Sequence, residues 1–270
     1  MPRENVAVCT APDFDPATCY GKHAFAHLCD PQYGDGCGGW EIHALEGDRA
    51  VRERVLRALA LHDPKLFFGV GHGSEDTFTG QNLERLFWVC NCRELAGRVV
   101  YLLSCLTGAK LGPDMVAKGA LAYVGYDREY MFVAMFPPMC RDPITEDRYA
   151  YAFFDPPLVF LATLIKGGTV GDAFKAMIDR YNYWMDLWSR SGEEGAEHVV
   201  FFLKWDRDHA VVYGDQSAVA GRYVPTARPA IPGAALVGAV MGYALTNTIE
   251  GAVVGFMLGA ALDRVRRSRA

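Results

Sequence analysis

Two residues able to act as a nucleophile and a base occur in closely similar local patterns. His72 follows the apolar run Leu66–Val70 and a glycine, and Cys105 follows the apolar run Val99–Leu103 and a serine. A cysteine with a pKa near about 8.5 is mostly protonated at neutral pH, so it needs a base before it attacks a carbonyl. An imidazole can accept that proton and later return it to a leaving amine. The pair therefore predicts acyl transfer, with Cys105 as the nucleophile and His72 as the base.

The apolar runs indicate how the two residues are positioned. Each run has the length and composition of a strand that is covered on both faces of a sheet. Ligand sites of parallel α/β sheets lie beyond the carboxyl ends of the strands, so neighbouring strands would present both residues to one crevice. The backbone N–H groups of Gly73 and Cys105 are then the expected donors to the oxyanion that forms during the reaction.

The order of these motifs resembles a known group of enzymes. An apolar strand ending in His-Gly, followed 33 positions later by a second ending in Ser-Cys, is similar to the caspase–gingipain–legumain cysteine peptidases. The stretch 101–126, YLLSCLTGAKLGPDMVAKGALAYVGY, resembles the gingipain-like and bacterial CHAT branches most closely. The resemblance covers residues 5–215. It implies a caspase-like three-layer α/β/α sandwich with a mainly parallel sheet, and a Cys–His dyad without a required third carboxylate.

The resemblance also bears on substrate preference. Relatives commonly bind the residue before the cleaved bond in a charged pocket, and in several of them one pocket residue lies two positions before the nucleophile. That position is Leu103 here, which departs from the acidic pattern. Asp13, Asp127 and Glu129 remain candidate pocket acids, with Arg128 as a competitor of opposite sign. Ordinary surface charge is the alternative for each of them. We expect a weak preference for a basic substrate residue.

The remaining elements follow from periodicity and capping signals. Asp48 is expected to cap a helix over residues 48–61, and Thr169 with Asp172 forms a capping box at the start of a long amphipathic helix. The run 199–203 (VVFFL) predicts a strand, paired as a hairpin with residues 210–213.

Composition places the chain among globular proteins. Its 270 residues are 51% apolar and 22% charged, with a net charge of -5. The basic residues are dispersed apart from a cluster at the C-terminus, which argues against a nucleic-acid partner. Eight cysteines without a CxxC pair, and an N-terminus without a secretory signal, predict a cytoplasmic protein with mostly reduced thiols.

A metal site is a weaker alternative reading of the N-terminal region. Cys19, His23 and His27 are spaced to share one helix face, and Cys29 and Cys37 follow closely. The spacing matches no standard zinc finger or ribbon, so we expect no metal and no other cofactor.

A change in composition predicts a boundary near residue 224. Residues 1–224 form the expected peptidase domain, and 225–270 comprise a proline-rich linker followed by a glycine-rich helical hairpin with a basic tail. GxxxG patterns at Gly238/Gly242 and Gly251/Gly255 permit close helix–helix contact. Residues 231–262 are therefore expected to contact a membrane or another copy of the chain.

The sequence thus predicts a cysteine endopeptidase that acts on a protein or peptide substrate, held at a membrane or in an assembly by its tail. The alternative from another class is a non-catalytic caspase-like scaffold, in which the tail inserts in a membrane or drives oligomerisation. A zinc-stabilised binding module is a third reading.

Overall fold

The computed structural model describes residues 5–33, 37–135, 142, 144 and 146–221. All of these residues lie within the first of the two units into which the chain divides, Met1–Val224. The elements in chain order are β1 (Val6–Ala11), α1 (Pro16–Ala26), β2 (Glu41–Glu46), α2 (Arg52–His62), β3 (Leu66–Val70), β4 (Thr77–Thr79), β5 (Arg85–Trp88), β6 (Val99–Leu103), α3 (Leu111–Ala117), β7 (Ala122–Tyr126), α4 (Arg148–Ile165), α5 (Val170–Ser189), α6 (Ala196–His209) and β8 (Ala210–Gly214).

Six of the strands form one sheet in the order β2-β1-β3-β6-β7-β8. The first five are mutually parallel, and β8 runs antiparallel to β7 at the edge. Strands β4 and β5 form a separate antiparallel pair. The predicted α/β class with a mainly parallel sheet is therefore confirmed.

The sheet has a hydrophobic core on each face. Alternate side chains of β3 point to opposite sides, with Phe68 packed in one core and Phe67 in the other. Helices α1, α4, α5 and α6 contribute to the core that contains Phe68, and α2 and α3 contribute to the other. The central strands β3 and β6 are fully buried, which explains why both are apolar without alternation. The described residues thus form three layers.

Two of the predicted helix starts have different outcomes. Helix α5 begins with the predicted capping box, in which the Thr169 side chain accepts from the Asp172 N–H and Asp172 bonds back to Thr169. The predicted cap at Asp48 is wrong, because α2 begins at Arg52 after a short 3-10 turn and Val51 provides no side-chain cap.

The predicted hairpin of residues 199–203 and 210–213 is wrong. Residues 199–203 belong to helix α6, and β8 pairs with β7 instead. The buried positions of α6 are Val199, Leu203 and Asp206, which are spaced four and three residues apart as on one helix face. A short apolar run inside a polar helix therefore resembled a strand.

Helix α4 has no counterpart among the sequence-based predictions. It contains Pro156 and Pro157, and almost all of it is buried against the sheet. Interior prolines ordinarily end or kink a helix, so Pro156 and Pro157 would by themselves indicate a break in this segment. The structure instead has one continuous helix. Within the described part of the chain, no helix has the length and apolar character needed to cross a membrane. The predicted boundary near 224, the glycine-rich hairpin and the contact segment 231–262 lie outside the described residues.

The cysteines differ in part from the reduced state that the sequence predicts. Cys29 and Cys37 form a disulfide. Of the other described cysteines, Cys90 is exposed, Cys105 is half-buried, and the rest are buried, namely Cys9, Cys19 and Cys92.

Candidate active site

The register of β3 and β6 brings His72 and Cys105 to the same edge of the sheet. Val70 pairs with Leu103 at the carboxyl ends of the two neighbouring strands. His72 and Cys105 each lie two residues beyond that pair. Both line one cavity of about 80 Å³, as the parallel-sheet rule led us to expect.

The segment after His72 is held against the segment that contains Cys105. The Thr79 N–H donates to the His72 carbonyl over 2.9 Å, and Ser74 N–H donates to Thr77 over 2.9 Å, so β4 folds back beside the histidine. A Cβ atom at Gly73 would lie 2.4 Å from the backbone oxygen of Cys105. Only a glycine permits this approach of the two backbones.

The turn after Cys105 contains a strained residue. Leu106 has a φ of +62°, a conformation that non-glycine residues rarely adopt. Its N–H donates to the Arg128 carbonyl over 2.9 Å, which ties the turn to the segment after β7. Ser104 and Thr107 join their hydroxyls over 2.8 Å across the same turn. These bonds maintain a conformation that costs on the order of 1–2 kcal/mol.

A third polar residue, which the sequence analysis did not identify, contacts His72. The Asp15 Oδ2 atom lies 2.5 Å from His72 Nε2, and its Oδ1 accepts from the Thr18 N–H over 2.9 Å at the start of α1. Strand β1 neighbours β3, so the ends of three adjacent strands supply Asp15, His72 and Cys105. Asp15 was detectable in the sequence as an N-cap, because it precedes Pro16 just after the first strand.

The bonds to Asp15 favour its charged form. Burial by itself would raise the pKa of this carboxyl, but the hydrogen bonds from Thr18 and His72 bring its pKa below the ordinary value. A carboxylate that accepts from Nε2 leaves Nδ1 as the ring nitrogen for the thiol proton. The ring of Phe14 also contacts the His72 ring edge-on, with centroids 5.9 Å apart. Asp15 and Phe14 together limit the orientations of the imidazole.

The surroundings of Cys105 favour the protonated form of its thiol. Burial raises its pKa above the ordinary value, the Tyr130 N–H lowers it, and the carboxylate of Glu129 raises it further. Among the described residues, no hydrogen bond joins the imidazole of His72 to this thiol. Catalytic hydrogen bonds are often long without substrate and shorten in the reacting complex. The arrangement therefore fits a base that removes the proton when the substrate binds.

In the described part of the structure, the predicted oxyanion donors, the backbone N–H groups of Gly73 and Cys105, take no part in the backbone hydrogen bonds between neighbouring segments. The hydrogen bonds on either side of Gly73 involve His72 and Ser74 rather than Gly73 itself. In the described part of the structure, neither the Gly73 N–H nor the Cys105 N–H donates to a backbone carbonyl. Gly73 lies against the backbone of Cys105, so both groups belong to the two segments that carry the imidazole and the thiol.

The three candidate pocket acids lie away from the cavity lining. Asp13 pairs with Lys22 over 2.7 Å, and this hydrogen bond lowers the pKa of Asp13. Asp127 lies 3.1 Å from His209 Nδ1, and Glu129 is exposed. The cavity is lined instead mainly by apolar side chains, namely Val70, Leu103, Tyr130, Phe132 and Phe154, with Ala17, Thr18, Gly71 and Ser104 beside the two reactive residues.

A buried carboxyl supports the segment that forms one side of the cavity. Asp206 of α6 is fully buried and accepts from the Met131 N–H over 2.9 Å. Burial raises the pKa of Asp206 well above its ordinary value. Its Oδ2 atom has no hydrogen-bond partner among the described residues. The neutral form is therefore favoured, since an unpaired buried charge is costly.

The residues of the weaker metal hypothesis are not brought together as ligands. Cys29 belongs to a disulfide, and His27 contacts Asp30 and Asp142 through its two ring nitrogens. Among the described residues, the one group of three ligand-type side chains close enough to share an ion is Glu41, His43 and His62.

No family model matches the chain, and no curated protein matches it.

Proposed function

We propose that this chain is a caspase-like cysteine endopeptidase. The observation that supports this most directly is the convergence of Asp15, His72 and Cys105 at the carboxyl ends of β1, β3 and β6, beside a cavity. A thiol nucleophile, a base and a carboxylate that orients the base form an arrangement suited to acyl transfer. Asp15 adds a third member to the dyad that the sequence predicts.

In the proposed reaction, His72 accepts the thiol proton while Cys105 Sγ forms a bond to the carbonyl carbon of the substrate. The carbonyl electron pair moves to oxygen, where the N–H groups of Gly73 and Cys105 donate to it. Collapse of this intermediate breaks the C–N bond, and the imidazolium gives its proton to the leaving amine. Water, deprotonated by His72, then attacks the thioester and releases the acid and the thiol.

The rival proposal is a non-catalytic scaffold with the same fold. The raised pKa of Cys105 is the observation that favours it, because a buried thiol also occurs as an inert core residue. Asp15 argues for the peptidase, since a scaffold has no need of a carboxylate on His72. The proposed attachment to a membrane or to another copy through residues 231–262 is compatible with either, and its support is the glycine spacing of the sequence.

Active-site labelling tests the peptidase proposal. Purified chain is incubated with peptidyl acyloxymethyl ketones that carry Leu, Arg, Lys or Asp before the reactive group, and mass spectrometry locates the adduct. We expect an adduct on Cys105 that is absent from Cys105→Ala. The labelling rate should fall by about 10²-fold or more in His72→Ala, the range that an acid–base residue contributes.

Cys90→Ala is the matched control, because Cys90 is an exposed free thiol outside the cavity. This variant should label at the rate of the unmodified chain. Equal labelling of Cys90 and Cys105, or a rate that His72→Ala does not change, would favour the scaffold.

A further inference from the structure

The cavity beside Cys105 has the position of a pocket for the substrate residue that precedes the cleaved bond. Leu103 and Val70, the last residues of β6 and β3, line it on the sheet side, while Cys105 and His72 border it. A substrate carbonyl that lies within reach of the thiol has its own side chain within reach of this cavity. This inference rests on the proposed peptidase function and concerns which side chain the enzyme accepts.

An aromatic wall closes the side of the cavity formed by α4 and the segment after β7. The Phe132 and Phe154 rings meet edge-on with centroids 5.1 Å apart, and the Tyr130 ring lies 6.1 Å from that of Phe154. The Tyr130 hydroxyl donates to the Phe153 carbonyl over 2.7 Å, so it already has an acceptor. The wall therefore presents ring carbons to a ligand.

Charges of either sign are missing from this lining. Apart from His72, the described residues that line the cavity have no ionisable group other than the thiol of Cys105 and the phenol of Tyr130. Asp13 and Asp127 are paired with Lys22 and His209. The nearby Asp206 is buried, with its neutral form favoured. Glu129 is exposed and lies outside the lining. A substrate Arg, Lys or Asp would therefore lose water at this site without gaining an opposite charge from the lining.

We propose that this cavity selects an apolar, aliphatic residue such as Leu or Met immediately before the cleaved bond. Its small volume, about 80 Å³, favours such side chains over Trp. Specificity pockets lined by apolar groups discriminate through burial of the matching side chain and through the cost of burying a mismatched charge. This replaces the weak preference for a basic residue that the sequence alone predicts.

The test compares fluorogenic tetrapeptides that differ only in the residue before the cleaved amide. We expect kcat/KM for Leu or Met to exceed that for Arg, Lys and Asp by about 10-fold or more. All turnover should be absent from Cys105→Ala. Faster cleavage after Arg or Lys that still requires Cys105 would overturn this inference and leave the peptidase proposal standing. No turnover of any peptide by the unmodified chain would overturn both.

A charge placed in the cavity provides the matched variant. Ala17 lines the cavity, is partly exposed and lies in the first turn of α1, where an acidic side chain is compatible with the helix. Ala17→Asp should raise the ratio of kcat/KM for the Arg peptide to that for the Leu peptide by about 10-fold. Ala17→Asn, which introduces an uncharged side chain of the same shape as Asp, should leave this ratio unchanged. An unchanged ratio in Ala17→Asp would show that the substrate side chain lies elsewhere.

Discussion

Asp15 has two partners, and a conservative substitution separates them. Its Oδ1 atom caps α1 through Thr18, and its Oδ2 atom contacts the His72 ring. Asparagine at this position can keep the cap but has no charge to stabilise an imidazolium. In the proposed reaction, Asp15 is therefore a positioning residue, whose effect passes through His72.

We expect Asp15→Asn to lower kcat by at least about 10-fold with little change in KM. This loss should not exceed the full rate contribution of the acid–base residue, which is roughly 10²–10⁴-fold. The free energy of unfolding should change by less than about 1 kcal/mol, because Asn is as good a cap as Asp. Steady-state kinetics and urea unfolding measure the two effects. Asp13→Asn is the control, since Asp13 contacts Lys22 and Gln81 rather than His72. An equal loss of kcat in both variants would contradict the role of Asp15.

The pKa of Cys105 leads to a second prediction at the scale of the residue. The thiolate is the reactive form, and burial raises the pKa of this thiol. Alkylation by iodoacetamide without substrate should therefore rise with pH and reach half of its maximum above about 8.5, the ordinary pKa of cysteine. Mass spectrometry of the Cys105 peptide from pH 6 to 10, with N-acetylcysteine as reference, measures the profile. A plateau already below pH 7 would indicate a preformed thiolate–imidazolium pair instead.

At the scale of the elements, Gly73 fixes the distance between the loop after β3 and the loop after β6. We expect Gly73→Ala to separate the loops, because its Cβ would lie 2.4 Å from the Cys105 backbone oxygen. The predicted cost is about 1–3 kcal/mol of stability. A displacement on the order of 1 Å in the site should also reduce kcat/KM by about 100-fold.

Gly171→Ala is the matched control for this substitution. Gly171 is the second residue of α5, and an added Cβ would come no closer than 3.3 Å to the Gln216 carbonyl oxygen. Its unfolding free energy should stay within about 0.5 kcal/mol of the unmodified chain. Full activity in Gly73→Ala would contradict the close approach of the two loops.

Helix α6 supports the cavity through Asp206, and the raised pKa of that carboxyl has a definite effect on stability. The folded chain retains a proton that the unfolded chain releases above its own pKa, about 3.9. This contribution to stability is fully present below pH 3.9. The contribution decreases by about 1.4 kcal/mol per pH unit as the pH rises from there towards the pKa of Asp206 in the folded chain.

Asp206→Asn should remove this pH dependence, because asparagine does not titrate and can still accept from the Met131 N–H. The variant should therefore gain stability relative to the unmodified chain as the pH increases from 5 to 8. Urea unfolding at several pH values gives the difference. Parallel curves for the two chains would show that Asp206 ionises normally in the folded state.

Particular elements show what the sequence could predict. Strands β3 and β6 were predictable because central parallel strands are apolar on both faces, and this alone brought His72 and Cys105 to one edge. The 199–203 run was misassigned because a helix with one buried face can contain five apolar residues in succession. Asp15 could not be predicted as part of the site, because its contact with His72 depends on the order of strands β1, β3 and β6 in the sheet. The pattern of a single strand does not determine that order.

The apolar cavity could not be predicted from the sequence for a related reason. Leu103 and Phe154 are 51 positions apart in the chain and meet only through the packing of α4 on the sheet. The tandem prolines of α4 further obscured that helix. The packing of distant elements thus determines the contact between Asp15 and His72 and the lining of the cavity, whereas local patterns were enough to single out His72 and Cys105.

The order of the elements along the chain determines when the proposed site can form during synthesis. Asp15, His72 and Cys105 all precede residue 126, yet the segment beside the thiol is fastened by Asp206, and the last strand, β8, pairs with β7. Contacts between distant parts of a chain form late, since closing long loops is slow. A ribosome that has released only the first half of the protein therefore exposes every reactive side chain without a formed pocket. For the proposed peptidase, we expect newly made chains to stay inactive until α6 docks.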